Sequence, residues 1–320
     1  MPAISCSAPG KVILCGEHAV VYGRPAIALP VFSVKSTCRI IAQPNLAGDS
    51  VSIEAPNINL KTNLLKLEMT HPIRQTVEQV LGYFNMERLP NCSILIHSSI
   101  PPAAGLGSSA SSTIAMIRAI STFLGHPLDI SETNRIAFEI EKIHHGAPSG
   151  IDNTVIAYGK PLFFRKQEPF ELLKILTPFT IVITDTGIKS STAKVVSELK
   201  NKWKRSTRKY ESFFDQIEAI TIKIKHCLNS GEYTHFGNLL NQNQEILRDM
   251  GVSCQKLDDL VKCALEFGAI GAKLSGGGQG GNMITLVEPQ LADTLATRLS
   301  AAGAARTLIM TISPESGDCV

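Results

Sequence analysis

An α+β architecture in two domains is what this sequence predicts, on three observations. The chain has 320 residues, 44% hydrophobic and 18% charged, which is ordinary globular composition and length enough for two cores. Short runs rich in β-branched residues alternate with amphipathic stretches at irregular spacing, which favours antiparallel pairing over regular βαβ units. The texture then changes near residues 180–190 to long amphipathic helices, so the expected domains are residues 1–185 and 186–320.

Taken in order, residues 11–14 and 26–29 are apolar and bounded by turn formers, and residues 33–42 (SVKSTCRIIA) and 93–97 (SILIH) read as strands. Residues 111–124 follow a Pro- and Gly-rich loop, carry one charge and suit a largely buried helix. Residues 131–144 read as a second helix with Ser131 as N-cap. Residues 179–184 (FTIVIT) form a buried strand, followed by helices over 191–228, 232–249 and 254–267. Strands at 271–274 and 283–287, a helix near 290–302 and a strand over 307–312 complete the pattern.

The composition excludes several functions. Basic and acidic residues nearly cancel, 31 against 28. One basic run, residues 194–209, carries Lys194, Lys200, Lys202, Lys204, Arg205, Arg208 and Lys209 against Glu198 alone, with Trp203 inside it. It reads as a solvated helix face rather than a nucleic-acid site. The eight cysteines form no CxxC pair and the eight histidines no HExxH, which argues against zinc and for a reducing compartment. No apolar run reaches the roughly 18 residues of a membrane helix, and the first residues lack a basic and apolar leader, so a cytoplasmic protein is expected.

Four segments carry the candidate chemistry. In Pro101-Pro-Ala-Ala-Gly105-Leu-Gly107-Ser-Ser-Ala-Ser111, glycines let backbone N–H groups converge on an anion. The following helix aims its positive end at the same place, with Ser108, Ser109 and Ser111 as hydroxyl donors or a metal ligand. The pattern fits a polyphosphate but is not a Walker A loop, and a plain Ser-capped helix start is the alternative. Ser275-Gly-Gly-Gly-Gln-Gly-Gly281 satisfies GxGxxG, but a strand follows instead of a helix, so a dinucleotide fold is rejected in favour of a Gly-rich hairpin.

In Glu141-Lys-Ile-His-His-Gly-Ala-Pro-Ser-Gly-Ile-Asp152 the chain folds back between two carboxylates. One could hold Mg²⁺ and the other orient or deprotonate an attacking hydroxyl, although either acid taken alone reads first as a surface cap or salt-bridge partner. His144 and His145 read as packing or hydrogen-bonding residues. Finally, residues 7–23 (SAPGKVILCGEHAVVYG) put Lys11, Glu17 and His18 around an apolar strand. Such charges usually sit at strand ends in solvent, whereas a Lys near a catalytic Asp would stabilise the carboxylate and ease deprotonation of a hydroxyl.

Together, SAPGKVILCGEHAVVYG, PPAAGLGSSAS, EKIHHGAPSGIDN and GAKLSGGGQGGNMI, in that order, resemble the GHMP superfamily of small-molecule kinases, and within it the mevalonate kinase family. A galactokinase is expected to read GEH-x-D-Y in the first segment, and a diphosphomevalonate decarboxylase to carry a Lys-Tyr-Trp-Gly segment, absent here. The resemblance implies a domain like ribosomal protein S5 domain 2 followed by a ferredoxin-like domain, with the active site in the cleft between them. It implies ATP-dependent phosphorylation of the C5 hydroxyl of (R)-mevalonate to 5-phosphomevalonate in isoprenoid biosynthesis.

By the same resemblance, Ala103, Ala104, Gly105, Leu106, Gly107, Ser108 and Ser109 wrap the ATP phosphates, and Asn57 and Ser98 contact the nucleotide. Ser109 and Glu141 ligate Mg²⁺, Asp152 is the catalytic base with Lys11 beside it, and Glu17, His18 and Thr192 line the mevalonate side. The expected partners are ATP and mevalonate, with no nucleic acid or membrane and a homodimer as the candidate assembly. The alternative is a sister kinase acting on phosphomevalonate or on the mevalonate 3-hydroxyl. A phosphorylated acceptor would call for extra cations, for which Lys189 and Lys194 are the candidates. One departure stands out: where the family more often reads Thr-Gly-Ala-Gly-Gly-Gly-Gly, this chain has Gly277 and Gln279 in place of the Ala and a Gly.

Overall fold

The computed structural model describes residues 3–45, 50–101, 104–145 and 148–314. The chain divides into two compact units, one of residues 1–10, 34–101 and 107–159, the other of residues 11–33, 102–106 and 160–320.

The first unit contains the start of β1 (Ala3–Cys15), most of the second half of β2 (Ala26–Ala42), then β3 (Val51–Ala55), β4 (Leu60–Asn63), α1 (Pro72–Tyr83), β5 (Cys92–Ser98), α2 (Ser108–Phe123), α3 (Ile130–His145) and α4 (Ile151–Tyr158). Its sheet runs β4-β3-β5-β2, with β3 parallel to β5 and the other pairs antiparallel, and β1 pairs with β2. Helix α2 packs among α1, α3, α4 and β5 and buries ten of its sixteen residues, which is why the segment reads as apolar nearly all round. The cap of α3 differs from expectation. The helix already includes Ile130 and Ser131, and Asp129 Oδ1 accepts from Glu132 N at 2.8 Å. Asp129 therefore caps in place of Ser131, two residues earlier.

The second unit adds β6 (Leu162–Phe164), β7 (Glu171–Leu172), β8 (Phe179–Asp185), α5 (Thr192–Arg205), α6 (Thr207–Ser230), α7 (Tyr233–Asp249), α8 (Gln255–Glu266), β9 (Gly271–Ser275), β10 (Asn282–Val287), α9 (Ala292–Ala301) and β11 (Arg306–Ile312). Its four-stranded antiparallel sheet has the order β11-β8-β10-β9. Strands β8, β9 and β10 are buried almost throughout, so they appear in the sequence as continuous apolar runs rather than alternating ones. Helices α7, α8 and α9 pack on this sheet, and Phe214, Leu247, Leu260, Leu274 and Leu295 lie in its core.

The helix expected over 191–228 is two. Ser206 leaves helical geometry at φ −144°, and its N–H is shared between Lys202 O and Trp203 O, while Thr207 Oγ1 donates back to Trp203 O at 3.1 Å. Trp203 turns inward there, against Tyr22 and with Nε1 on Glu211 at 2.8 Å. The basic run lies mostly on the exposed faces flanking this break. The boundary drawn from sequence at 185/186 and the compact units fall at different places, because β8 ends at Asp185 yet pairs with β10 and β11 further along the chain. Among the described residues no helix is long and apolar enough to cross a membrane.

Candidate active site

The first unit holds the acidic and nucleotide-side candidates. Gly107, at φ 75°, starts α2, and no side chain caps its first turn, so its first N–H groups point outward beside half-buried Ser108 and exposed Ser109. An uncapped N-terminus with two hydroxyls suits an anion. Ser111, offered by the sequence as a third hydroxyl, is committed elsewhere. It is fully buried, donates to Ala8 O at 2.8 Å and accepts from Ser36 N at 3.2 Å. Two residues along the helix from exposed Ser109, a rotation of about 200°, it points to the opposite side, toward β1 and β2.

Asn57 and Ser98 are brought together: Asn57 Nδ2 donates to Ser98 O and Ser98 N donates to Asn57 Oδ1, both at 2.8 Å. Glu141 sits half-buried on α3, and Asp152, also half-buried, stands in the first turn of α4 after Gly150. Ala103 and the side chains of His144 and His145 lie outside the described residues.

The second unit holds the rest. Lys11, Glu17 and His18 are 6%, 3% and 5% exposed, so these charges do not sit in solvent at the strand ends. The turn that buries them depends on Gly16: at φ 98° a Cβ would come within 2.4 Å of Ala26 Cα, so no other residue fits. Glu17 is paired with Lys273, itself fully buried, and its Oε2 accepts a long 3.5 Å contact from Asn243 Nδ2. Lys273 Nζ also donates to Leu274 O at 2.6 Å. A buried charge pair with added hydrogen bonds is the arrangement in which two ions survive away from water.

His18 Nε2 lies 3.1 Å from Gly277 O. Burial pushes its pKa down to about 4, against the raising effect of the Gly277 carbonyl and with Lys273 lowering it further. The ring is neutral at pH 7 and donates through Nε2. The unfolded chain binds that proton near pH 6.5, so the contribution to stability is complete above pH 6.5 and is lost as pH falls toward 4. A wild-type loss on the order of 3 kcal/mol across that window, absent in His18→Gln, is the expected outcome of urea titrations at stepped pH. Cys15, beside this turn, is pushed up to about 12 by burial and stays a neutral thiol, 3.1 Å from Thr221 Oγ1.

The loop residues Ala104, Gly105 and Leu106 are held in this same unit from two sides. Lys11 N donates to Leu106 O at 2.9 Å, and Asn282 Nδ2 donates to Ala104 O. The β9–β10 hairpin loop packs tightly: at Gly278 a Cβ would come within 2.0 Å of Val252 O. Thr192, exposed at the start of α5, stands against Gly277, where an added Cβ would meet Thr192 Oγ1 at 3.0 Å. His18 and Thr192 therefore converge on one loop residue. Lys273 and Asn282 were not singled out from sequence. Each lies inside the last Gly-rich motif, but its partner is more than 170 residues away in the chain.

The family model for the GHMP kinases N terminal domain matches residues 72–160, and that for the GHMP kinases C terminal domain matches residues 224–305. A mevalonate kinase of Pyrococcus horikoshii is 35% identical over 316 residues, covering 94% of this chain and 93% of its own. The chain belongs to the mevalonate kinase family of GHMP kinases. The L. major mevalonate kinase crystallised with R-mevalonate is 30% identical to this kinase, with TM-score 0.83 over 98% of this chain and 96% of its own. A Streptococcus pneumoniae phosphomevalonate kinase has the same TM-score, 0.83, over 98% of this chain and all of its own, but at 16% identity it shares the fold alone. The kinase is thus α+β, as expected, with strand β10 rather than a helix after its GxGxxG loop.

Proposed function

We propose that this kinase transfers the γ-phosphoryl group of ATP to the C5 hydroxyl of (R)-mevalonate, giving ADP and 5-phosphomevalonate. The observation that carries the reading is identity of 35% along nearly the whole chain to a protein named for that activity. The sister kinase on phosphomevalonate finds less support, because Lys189 and Lys194 are both exposed and Lys194 lies 4.0 Å from Glu198.

Phosphoryl transfer asks the protein mainly for positioning and charge stabilisation. The loop through Gly105 and Gly107 and the uncapped start of α2 take the ATP phosphates, and Asn57 and Ser98 the nucleotide. Ser109 and Glu141 are the residues that would hold Mg²⁺. A hydroxyl and one carboxylate are hard oxygen donors that leave coordination positions for phosphate oxygens and water, as magnesium prefers. When bound, the ion neutralises charge on the phosphates. Glu17, His18 and Thr192 form the acceptor side, His18 as a neutral ring fixed by Gly277. The C5 oxygen attacks the γ-phosphorus, the bond to the β-bridging oxygen breaks, Asp152 takes the hydroxyl proton, and Lys11 supplies positive charge. A cytoplasmic setting is supported by the free thiols among the described residues, and a homodimer is the candidate assembly.

A coupled ADP-release assay with each acceptor in turn tests the reading. The expected kcat/KM for (R)-mevalonate exceeds that for 5-phosphomevalonate by about a hundredfold or more. Turnover of 5-phosphomevalonate alone would transfer the assignment to the sister kinase.

A further inference from the structure

The hairpin loop between β9 and β10 carries a single side chain, Gln279, between Gly276 and Gly281. Its backbone lies in the left-handed region at φ 57°, an unfavourable place for a side chain unless that side chain is used. It is used. Gln279 Nε2 donates to Gly251 O and to Ser253 O, both at 3.0 Å, and Gln279 N donates to Val252 O at 2.8 Å. The residue thus holds three consecutive carbonyls of the α7–α8 connection, those of residues 251–253.

The strand entering the loop is tied to the same frame. Leu274 N donates to Gln244 Oε1 on α7 at 2.8 Å. Gln244 Nε2 donates to Asp258 Oδ1 on α8 at 3.2 Å, and Ser253 Oγ donates to that oxygen at 2.6 Å. A closed circuit of hydrogen bonds therefore runs from β9 through α7, α8 and their connection, and returns to the loop at Gln279. Within the segment so clamped lies Gly277, whose carbonyl receives His18 Nε2 and where an added Cβ would meet Thr192 Oγ1 at 3.0 Å.

We propose that Gln279 is a positioning residue: its amide clamps the loop onto residues 251–253 and so fixes Gly277, and through it His18 and Thr192, for the acceptor substrate. The proposal rests on the acceptor-side assignment of His18 and Thr192 made above. A glycine at position 279 would tolerate the backbone but could not make the two side-chain bonds.

The test uses the full chain with three substitutions. Gln279→Gly removes the clamp while relieving the left-handed backbone, so the melting temperature is expected to change little. Gln279→Met keeps the bulk without donors, and Gln279→Lys returns donors to the two carbonyls. The expected result is a roughly tenfold rise in KM for (R)-mevalonate in the Gly and Met variants, with KM for ATP within about twofold of wild type, and recovery in the Lys variant. Amide hydrogen exchange over residues 275–281 should quicken in the Gly and Met variants alone. Unchanged exchange and unchanged KM for mevalonate would overturn the proposal, as would a parallel rise in both KM values. If wild type fails to turn over mevalonate, the acceptor assignment falls, while the exchange measurement still decides whether Gln279 clamps the loop.

Discussion

Asp152→Asn is expected to lower kcat by about 10²–10⁴-fold while binding of MgATP stays near wild type. The substitution preserves shape and removes basicity, which isolates the proton-accepting role. The local fold does not depend on the Asp152 carboxylate alone, because its neighbours also anchor the helix. Thr154 Oγ1 donates to Gly150 O at 2.7 Å and Asn153 Nδ2 to Asn134 Oδ1 at 2.6 Å. Ile151 and Asn153 are buried on either side, so residue 152 is presented from a fixed turn. Initial rates together with a nucleotide titration separate the two effects. Turnover within a few-fold of wild type would remove Asp152 from the chemistry.

Lys273→Met carries the largest expected effect on stability, a loss of about 3–5 kcal/mol in urea unfolding. Methionine fills the space but leaves Glu17 charged and without its cation in a site where both side chains are essentially inaccessible to water. The remaining contact, Asn243 Nδ2 at 3.5 Å, is too long to replace it. Removing the second charge as well, in Glu17→Gln with Lys273→Met, should recover a large part of the loss, because the unpaired ion and not the missing pair is what destabilises. A single-variant loss below about 1 kcal/mol would contradict a buried, paired state for these groups.

Most of the fold was legible because its elements carry their signals locally. The buried strands β8 and β10 read as unbroken apolar runs, and the Gly-rich segments announced a loop before α2 and a hairpin before β10. What the sequence hid depends on distance along the chain or on direction in space. Ser111 shares a serine-rich segment with Ser108 and Ser109 but turns into the sheet, which residue type alone does not reveal. Lys273 carries no local signal of its role, because its partner Glu17 lies 256 residues away in the chain. Beside the break at Ser206, Trp203 packs on Tyr22, again a contact between residues far apart in the chain. Gln279, visible as a departure from an all-glycine pattern, became interpretable only with residues 251–253 in place.

The site of phosphorylation tests the central claim most directly. Incubating the kinase with MgATP and (R)-mevalonate and recording proton-coupled ³¹P spectra and product mass reads the new bond itself. A phosphomonoester on C5 neighbours a methylene, so its phosphorus signal should split into a triplet, with one ADP formed per product. A singlet, as a phosphate on the quaternary C3 would give, or ADP release only with an already phosphorylated acceptor, would contradict the assignment.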